Sequence, residues 1–438
     1  MSKEPKRFKQ TEIGELPEEW EVVRLGEVCK TASGGTPNRK EHKFFGGGIP
    51  WVKSSELKDT VILETEETLS EEGLKHSSAK IFPKGTVVVA MYGATVGRTG
   101  ILGIDAATNQ ACCAFFPDPN LLDKMFLFFW LQYVRPVLAR QSVGAAQPNI
   151  SQQILRQLPI PLPPLEEQKR IAGVLRLVDR VAEETKRIIN IYERAKKFAL
   201  KHLLTRGIGH TRFKQTEIGE LPEEWEVVRA EEDFEIIIGK TPSRNQSKYW
   251  DKSNETDNFW ATIEDLKERF ITTTKERVSD EGIKVARMRR VPEGTVLVSF
   301  KLTIGRVAIA GRPIYFNEAI AAFLPKSDCR FNRDFLFYAL HLLPLWAEQQ
   351  NLIDQAVKGV TLNKKKLQRL LLPLPPLEEQ KRIAEMLSTI DAAIENERRY
   401  LGVLEKCKKW MLDNLLTGKV RLSSEVDEIL KGVLPDAL

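Results

Sequence analysis

The chain has 438 residues, 42% of them apolar, with 66 Lys and Arg against 60 Asp and Glu for a formal charge of +6; that suffices for two ordinary cores but names no partner by itself. No window approaches 18 uninterrupted apolar residues and the start, MSKEPKRFKQ, lacks the apolar segment of a signal peptide, so a membrane span is excluded and a cytoplasmic protein expected. Cys29, Cys112, Cys113, Cys329 and Cys407 form no CxxC and have no histidine at metal spacing, which points to reduced core thiols and no metal site.

The first element, RFKQTEIGELPEEWEVVR from Arg7 to Arg24, returns unchanged from Arg212 to Arg229. A second string, PLPPLEEQKRIA, occurs at Pro161–Ala172 and again at Pro373–Ala384. LLTRG at Leu203 and LLTGK at Leu415 close the two copies, so the chain is a tandem of globular body, proline turn and charged helix. Between these strings only a skeleton aligns. Gly34-Gly35-Thr36-Pro37 answers Gly239-Lys240-Thr241-Pro242, Trp51 answers Trp260, and Thr95-Val96-Gly97-Arg98 answers Thr303-Ile304-Gly305-Arg306. Turn and core residues dominate this skeleton, as expected when a fold is kept while its surface diverges.

Within the bodies, the apolar runs Thr86–Met91, Ala111–Phe116, Thr295–Phe300 and Ala319–Leu324 predict strands, and Lys124–Tyr133 and Arg333–Leu343 predict buried helices. Each body also holds a basic tract: Lys30, Arg39, Lys40, Lys43 and Lys53 in the first, and seven cations between Gly282 and Arg312 in the second. Aromatic residues lie among and near them, including Phe44, Phe45, Trp51, Tyr249, Trp250 and Trp260, a combination that points to nucleic acid more than to a merely solvated face.

After Pro163-Pro164 the acids of Leu165-Glu166-Glu167-Gln168 sit where a helix dipole favours them. No proline follows before about Leu204, predicting a helix of about 40 residues and about 60 Å. Heptad counting places Ile171, Val174, Val178, Val181, Thr185, Ile188, Tyr192, Ala195 and Ala199 on one seam. The second seam is Ile383, Met386, Ile390, Ala393, Glu397, Tyr400, Leu404, Cys407 and Met411, with Thr185 and Glu397 as matching polar interruptions. Helices this long cannot bury a stripe on one small body, so an antiparallel pairing of the two is expected, with the bodies at opposite ends.

The fold class expected is therefore mixed α+β: two globular domains held apart by two long helices paired as an antiparallel coiled coil, in a pseudo-two-fold tandem repeat. The boundaries read 1–160 and 207–372 for the bodies, 161–206 and 373–418 for the helices, and 419–438 for a weakly patterned tail.

The opening T-x-I-G-x-L-P-x-x-W, the mid-domain G-x-T-P, and P-L-P-P-L-E-E-Q-x-x-I-A before a long helix resemble the specificity subunits of type I restriction-modification enzymes, over almost the whole chain. The resemblance implies that each body is a target recognition domain reading one half of a bipartite double-stranded DNA target, and that the helices space the domains. It further implies docking of two modification subunits, which carry S-adenosylmethionine, and of restriction subunits that use ATP. Unequal bodies on an equal frame then imply an asymmetric target with an unread spacer.

No catalytic residue and no resident cofactor is expected in this chain: GxxxxGK(S/T), FxGxG and (N/D)PP(Y/F) are all missing. Glu56-Leu57-Lys58 and Asp265-Leu266-Lys267 resemble half of a nuclease site but lack a shared upstream acid, and read as surface turns. The alternatives are a self-contained DNA methyltransferase or nuclease, and a coiled-coil protein scaffold. Candidate DNA contacts lie where the copies differ on shared turns: Thr36, Arg39, Lys43, Lys53, Ser55, Tyr92, Thr95, Arg98, Gln147 and Asn149 in the first. In the second they are Thr241, Arg244, Lys248, Thr262, Glu264, Lys301, Thr303, Arg306 and Lys358. Arg and Lys can hold guanine edges or phosphates, and Gln or Asn can pair with adenine. Arg98 and Arg306 stand out because a Thr-x-Gly-Arg turn that could bring backbone close to a ligand survives in both copies.

Overall fold

The structure is a computed structural model that describes residues 7–141, 149–356 and 359–433. The chain divides into two compact units, the first made of residues up to Arg187 together with those from Arg399 on, the second of Ile188–Arg398. Each is built on a five-stranded sheet of the same topology. In the first unit the order is Cys29–Ser33, Cys112–Pro117, Val87–Ala90, Thr99–Leu102 and Thr60–Ile62, antiparallel except at the last edge. In the second it is Phe234–Ile238, Ile320–Pro325, Val296–Ser299, Val307–Ala310 and Phe270–Ile271, with the same parallel edge.

Alternation explains why these strands read as unbroken apolar runs. Val87 and Val89 face one core with the helix Lys124–Tyr133, whereas Val88 and Ala90 face a second core with Leu102 and Ala114, so both faces of the sheet are buried. The four expected strands all fall in these sheets. Of the two expected buried helices, Lys124–Tyr133 is continuous, and the other runs as Arg333–Ala339, a 3-10 turn Leu340–Leu342, and a further helix Leu343–Gln349. Asp123 and Asn332 cap them, each side chain accepting from two backbone N–H groups.

The identical strings meet in space. Glu21–Arg24 pairs antiparallel with Pro159–Leu162, and Glu226–Arg229 pairs in the same register with Leu371–Leu374. The glutamine of each LEEQ then locks a long helix to its body. Buried Gln168 accepts from the Asp123 N–H and donates to the carbonyls of Leu121 and Pro163; buried Gln380 does the same with Asn332, Arg330 and Pro375. Each amide thus satisfies three backbone groups that burial would otherwise leave unpaired.

The neighbouring glutamate is held differently in each unit. Arg421 binds both Glu167 and Glu19, whereas Glu379 accepts from Trp225 Nε1 at 2.9 Å, from the Ile208 N–H at 2.9 Å and from His210 Nε2. The segment after the second long helix therefore closes onto the first copy of the 18-residue block.

The long helices run Leu165–Arg206 and Leu377–Leu415. Their burial corrects the expected seam in places. Ile171, Val174, Val178, Val181 and Thr185 are at least partly buried as expected, but Leu175, Ala182 and Ile189 share the inner face, while Ile188, Tyr192 and Ala195 are exposed. The second helix repeats the correction with Leu387 and Ile394 buried and Met386 and Tyr400 exposed. Val174-Leu175, Val181-Ala182 and Ile188-Ile189 are adjacent apolar pairs, so a 3-4 and a 4-3 spacing fit the sequence equally well.

Within unit one Lys408 on the second helix pairs with Asp179 on the first at 2.6 Å. Within unit two the same two repeat positions, in exchanged helices, pair as Lys196 with Asp391 at 2.5 Å, and Arg398 joins Glu193 at 2.6 Å. Residues rising along one helix meet residues falling along the other, so the helical segments inside unit two run antiparallel.

The tail is more structured than its sequence suggests. Glu425–Val433 is a helix that buries Leu430 against Gly173, where any Cβ would meet Leu430 Cδ1 at 2.6 Å, and Asp427 pairs with Arg170 at 3.0 Å. The second copy has Glu385 where the first has Gly173. Among the described residues no helix is long and apolar enough to cross a membrane.

Candidate nucleic-acid interface

Each unit carries two turns next to the strands of its parallel sheet edge. One is the 3-10 turn Ser54–Glu56 or Ile263–Asp265; the other joins the central hairpin strands and carries Thr-x-Gly-Arg. In unit two Arg306 bridges them, donating from Nη1 to the Ile263 carbonyl at 3.4 Å. In unit one Asp59 accepts from the N–H and hydroxyl of Thr99, and Arg135 binds both Asp59 and, at 2.9 Å, the Gly97 carbonyl.

Arg98, Lys301 and Arg306 are the candidate cations with no carboxylate partner among the described residues, and both arginines are exposed. Tyr92 and Asn149 are exposed neighbours in this place, joined by an antiparallel backbone bridge, and Thr95 donates to the Tyr92 carbonyl at 3.2 Å. Thr303 and Ser55 are exposed on their turns. Gln147 and Lys358 lie outside the described residues.

The remaining cations are already engaged. Arg39 pairs with Glu67 at 2.5 Å and its guanidinium lies 4.9 and 4.7 Å from the ring centres of Phe45 and Trp51. Arg244 reproduces this, bonded to Glu276 at 3.0 Å and lying 4.0 and 4.9 Å from Trp250 and Trp260. Stacking on two rings while binding a carboxylate satisfies most of what a guanidinium offers, so these arginines pin the strands Phe45–Val52 and Phe259–Ala261.

Lys43 with Glu72 at 2.7 Å and Lys248 with Glu281 at 2.5 Å form a second matched pair. Lys53 binds Glu66 at 2.7 Å and Glu67 at 2.9 Å, and the Lys53 and Arg39 contacts hold the Glu67 carboxyl below its ordinary range. Glu264 pairs with Lys275 at 2.6 Å, and Thr36 and Thr241 donate to Gln110 and Glu318. Thr262 donates to Asp265 at 2.8 Å, closing its own turn.

Geometry also revises the meaning of the glycine in Thr-x-Gly-Arg. Gly97 and Gly305 have φ of +76° and +87°, and a Cβ there would come within 2.8 Å of Arg135 Cγ and Pro344 Cγ. The close approach is to the protein's own helical segment rather than to a ligand. Glu56 and Asp265 are likewise spent at home: Glu56 accepts from the N–H groups of Lys53 and Glu66, and Asp265 from those of Thr262 and Lys275. Both belong to surface turns, as the sequence suggested.

The family model described as the type I restriction modification DNA specificity domain matches residues 17–193 and again 222–406. The chain belongs to this specificity family. The MjaVIII specificity subunit of Methanocaldococcus jannaschii is 30% identical over 430 residues, which are 95% of this chain and 96% of the relative. The Escherichia coli EcoR124I/EcoR124II specificity subunit is 28% identical over 173 residues, 38% of this chain and 41% of that one.

Two solved chains share the fold. One, from a type I restriction-modification system studied for its assembly and conformational transition, has a TM-score of 0.58 at 22% identity, covering 92% of this chain and 99% of its own. The S subunit from M. genitalium has a TM-score of 0.55 at 14% identity, covering 91% and 96%. The protein is thus the DNA-recognition subunit of a restriction-modification complex, and not its catalyst.

For this specificity subunit, sequence reasoning missed Asp59, Arg135 and Ser299, which shape the turns from behind. Ser299 Oγ accepts from the Arg306 N–H at 3.0 Å and donates to the Thr303 carbonyl, bracing the second turn from its base. The only sequence sign was that Ser299 interrupts an apolar strand.

Proposed function

We propose that the protein reads an asymmetric, bipartite double-stranded DNA target, one half-site per unit, through the turns that carry Arg98 and Arg306. The observation that carries this reading is one hairpin frame with two different tips. Met91-Tyr92-Gly93-Ala94-Thr95 in the first unit is replaced by the shorter Phe300-Lys301-Leu302-Thr303 in the second, and each tip is followed by an exposed arginine that has no carboxylate partner among the described residues and can meet a base edge or phosphate. The two long helices, which both cross the division between the units, set the unread spacer.

We further propose that two modification subunits dock on duplicated faces of these helices, with restriction subunits joining through them. Ile188, Ile191 and Phe198 are exposed on one face of the first helix, and aligning Pro161 with Pro373 places Tyr400, Val403 and Trp410, also exposed, at the same positions of the second. Each unit therefore carries one apolar strip of matching pattern, suited to two copies of one partner. The methyl donor and ATP are assigned to those partners, in the cytoplasm, since neither nucleotide loop nor methyl-donor loop occurs in this sequence. Sequencing the methylome of a host that expresses the protein with its modification subunit tests the reading: a methylated two-part motif with unlike halves is expected, and a single continuous or palindromic motif overturns it.

A further inference from the structure

Leu302 sits at the tip of the second hairpin turn with 65% of its surface exposed and φ of +64°. Both properties run against its chemistry. Among the described residues the other non-glycine positions with positive φ are Asp59, Asn254, Asn351 and Arg287. Asp and Asn tolerate that conformation through local hydrogen bonds, and Arg287 ends the helix Asp280–Ala286 as its left-handed cap. Leucine has neither justification.

The first unit reaches a left-handed turn at the same tip with Gly93, φ +71°, where no Cβ is strained. The second unit thus keeps a strained backbone and projects an alkyl group into solvent, between Lys301 on one side and Arg306 three residues beyond Thr303. Strain held at an exposed tip is what a binding residue shows when its side chain must point outward before the ligand arrives.

Resting on the proposed reading of the second half-site by this turn, we propose that Leu302 is a base-reading residue that packs against the methyl group of a thymine in the major groove. An alkyl side chain gains nothing from phosphates or from polar base edges; on duplex DNA the apolar group available to it in the major groove is the thymine C5 methyl. Lys301 and Arg306 supply the charge that brings the backbone of the same duplex to this tip. Unit one, with Gly93 and Ala94 at its tip, has no side chain of leucine's reach there.

The test uses the full chain with its modification subunit and duplexes of the methylated motif in which each second-half thymine is replaced singly by uracil. Wild type should bind one of these duplexes about 4-fold more weakly, the worth of burying one methyl group. Leu302→Gly and Leu302→Asn should lose that dependence, keep discrimination in the first half-site, and unfold at a temperature no lower than wild type because the strained backbone is relieved. The inference is overturned if no uracil position matters to wild type, if the variants keep the same dependence, or if they lose affinity equally for all duplexes. Arg306→Ala in the same assay separates the two levels. If it weakens the second half-site while uracil has no effect, the turn reads DNA and the leucine does not; if neither Arg306 nor Leu302 matters, the turn itself is not a reader.

Discussion

Replacing Phe198 by Glu should remove one modification subunit from the assembled complex and leave the other in place. Phe198 is 73% exposed and Trp410, its repeat counterpart, is 52% exposed. An aromatic side chain buries about 150–250 Å² when fully covered. Covering the exposed share of either residue would bury on the order of 130–150 Å², about 3–4 kcal/mol at 25 cal/mol per Å². Only part of that survives the costs of association, so a central anchor contributes about 2–4 kcal/mol, or about 30- to 1000-fold in affinity. A glutamate placed in the covered face adds the cost of an unpaired buried charge in the same direction.

Native mass spectrometry or light scattering of the purified chain mixed with modification subunit would read the outcome directly. Wild type should carry two copies, Phe198→Glu and Trp410→Glu one each, and the double variant none. Thermal stability should hold within about 0.5 kcal/mol, because both side chains already face water in the isolated chain. Lys197→Glu, an exposed change on a different face of the same helix, should retain both copies. Loss of both partners from either single variant would mean that the strips do not act separately, and retention of both would mean that they are not the docking faces.

Arg306→Ala should weaken binding through the second half-site by about 1–3 kcal/mol and relax its base preference if the guanidinium reads a guanine, or flatten the salt dependence for all sequences if it holds a phosphate; unchanged binding to specific and random duplexes refutes the contact. Lys408→Met should destabilise unit one by about 1–3 kcal/mol, a value reduced from that of a fully buried pair because water reaches both side chains, whereas Asp179→Leu with Lys408→Met should be near neutral. Burial raises the Asp179 carboxyl against the pull of Lys408, so its favourable contribution belongs to the protonated form and is lost as pH rises; the Lys408→Met deficit should therefore shrink on acidification. Denaturant titrations of both variants at two pH values decide it, and a double variant as weak as the single refutes the pair's assigned cost. Inserting one heptad after Arg187 and one after Arg399, beside the division between the units, should lengthen both helices by about 10.5 Å while keeping their buried seam in phase. The methylated motif should then gain up to about three spacer base pairs at about 3.4 Å each, with unchanged half-sites and weaker binding because the duplex also turns; an unchanged gap refutes a spacing role for the helices.

Local chemistry made much of this protein legible in its sequence. The two identical strings declared the repeat, the apolar runs gave the sheet strands, and the proline-free stretches after Pro164 and Pro376 gave the long helices, because each signal is carried by residues close together in the chain. What the tertiary structure decided depends on residues far apart. Adjacent apolar pairs such as Ile188-Ile189 left the helix seam undetermined until packing half-buried Ile189 and exposed Ile188. Arg39, Lys43, Arg244 and Lys248 read like free cations in the sequence, and are quenched by carboxylates about thirty residues away that no local pattern links to them. Nor could periodicity reveal that Arg421 returns to Glu19 and Glu167, or that Gly173 is small to admit Leu430. A sequence encodes period and turn chemistry locally, but which charges stay free for DNA is settled only when the fold has satisfied the others.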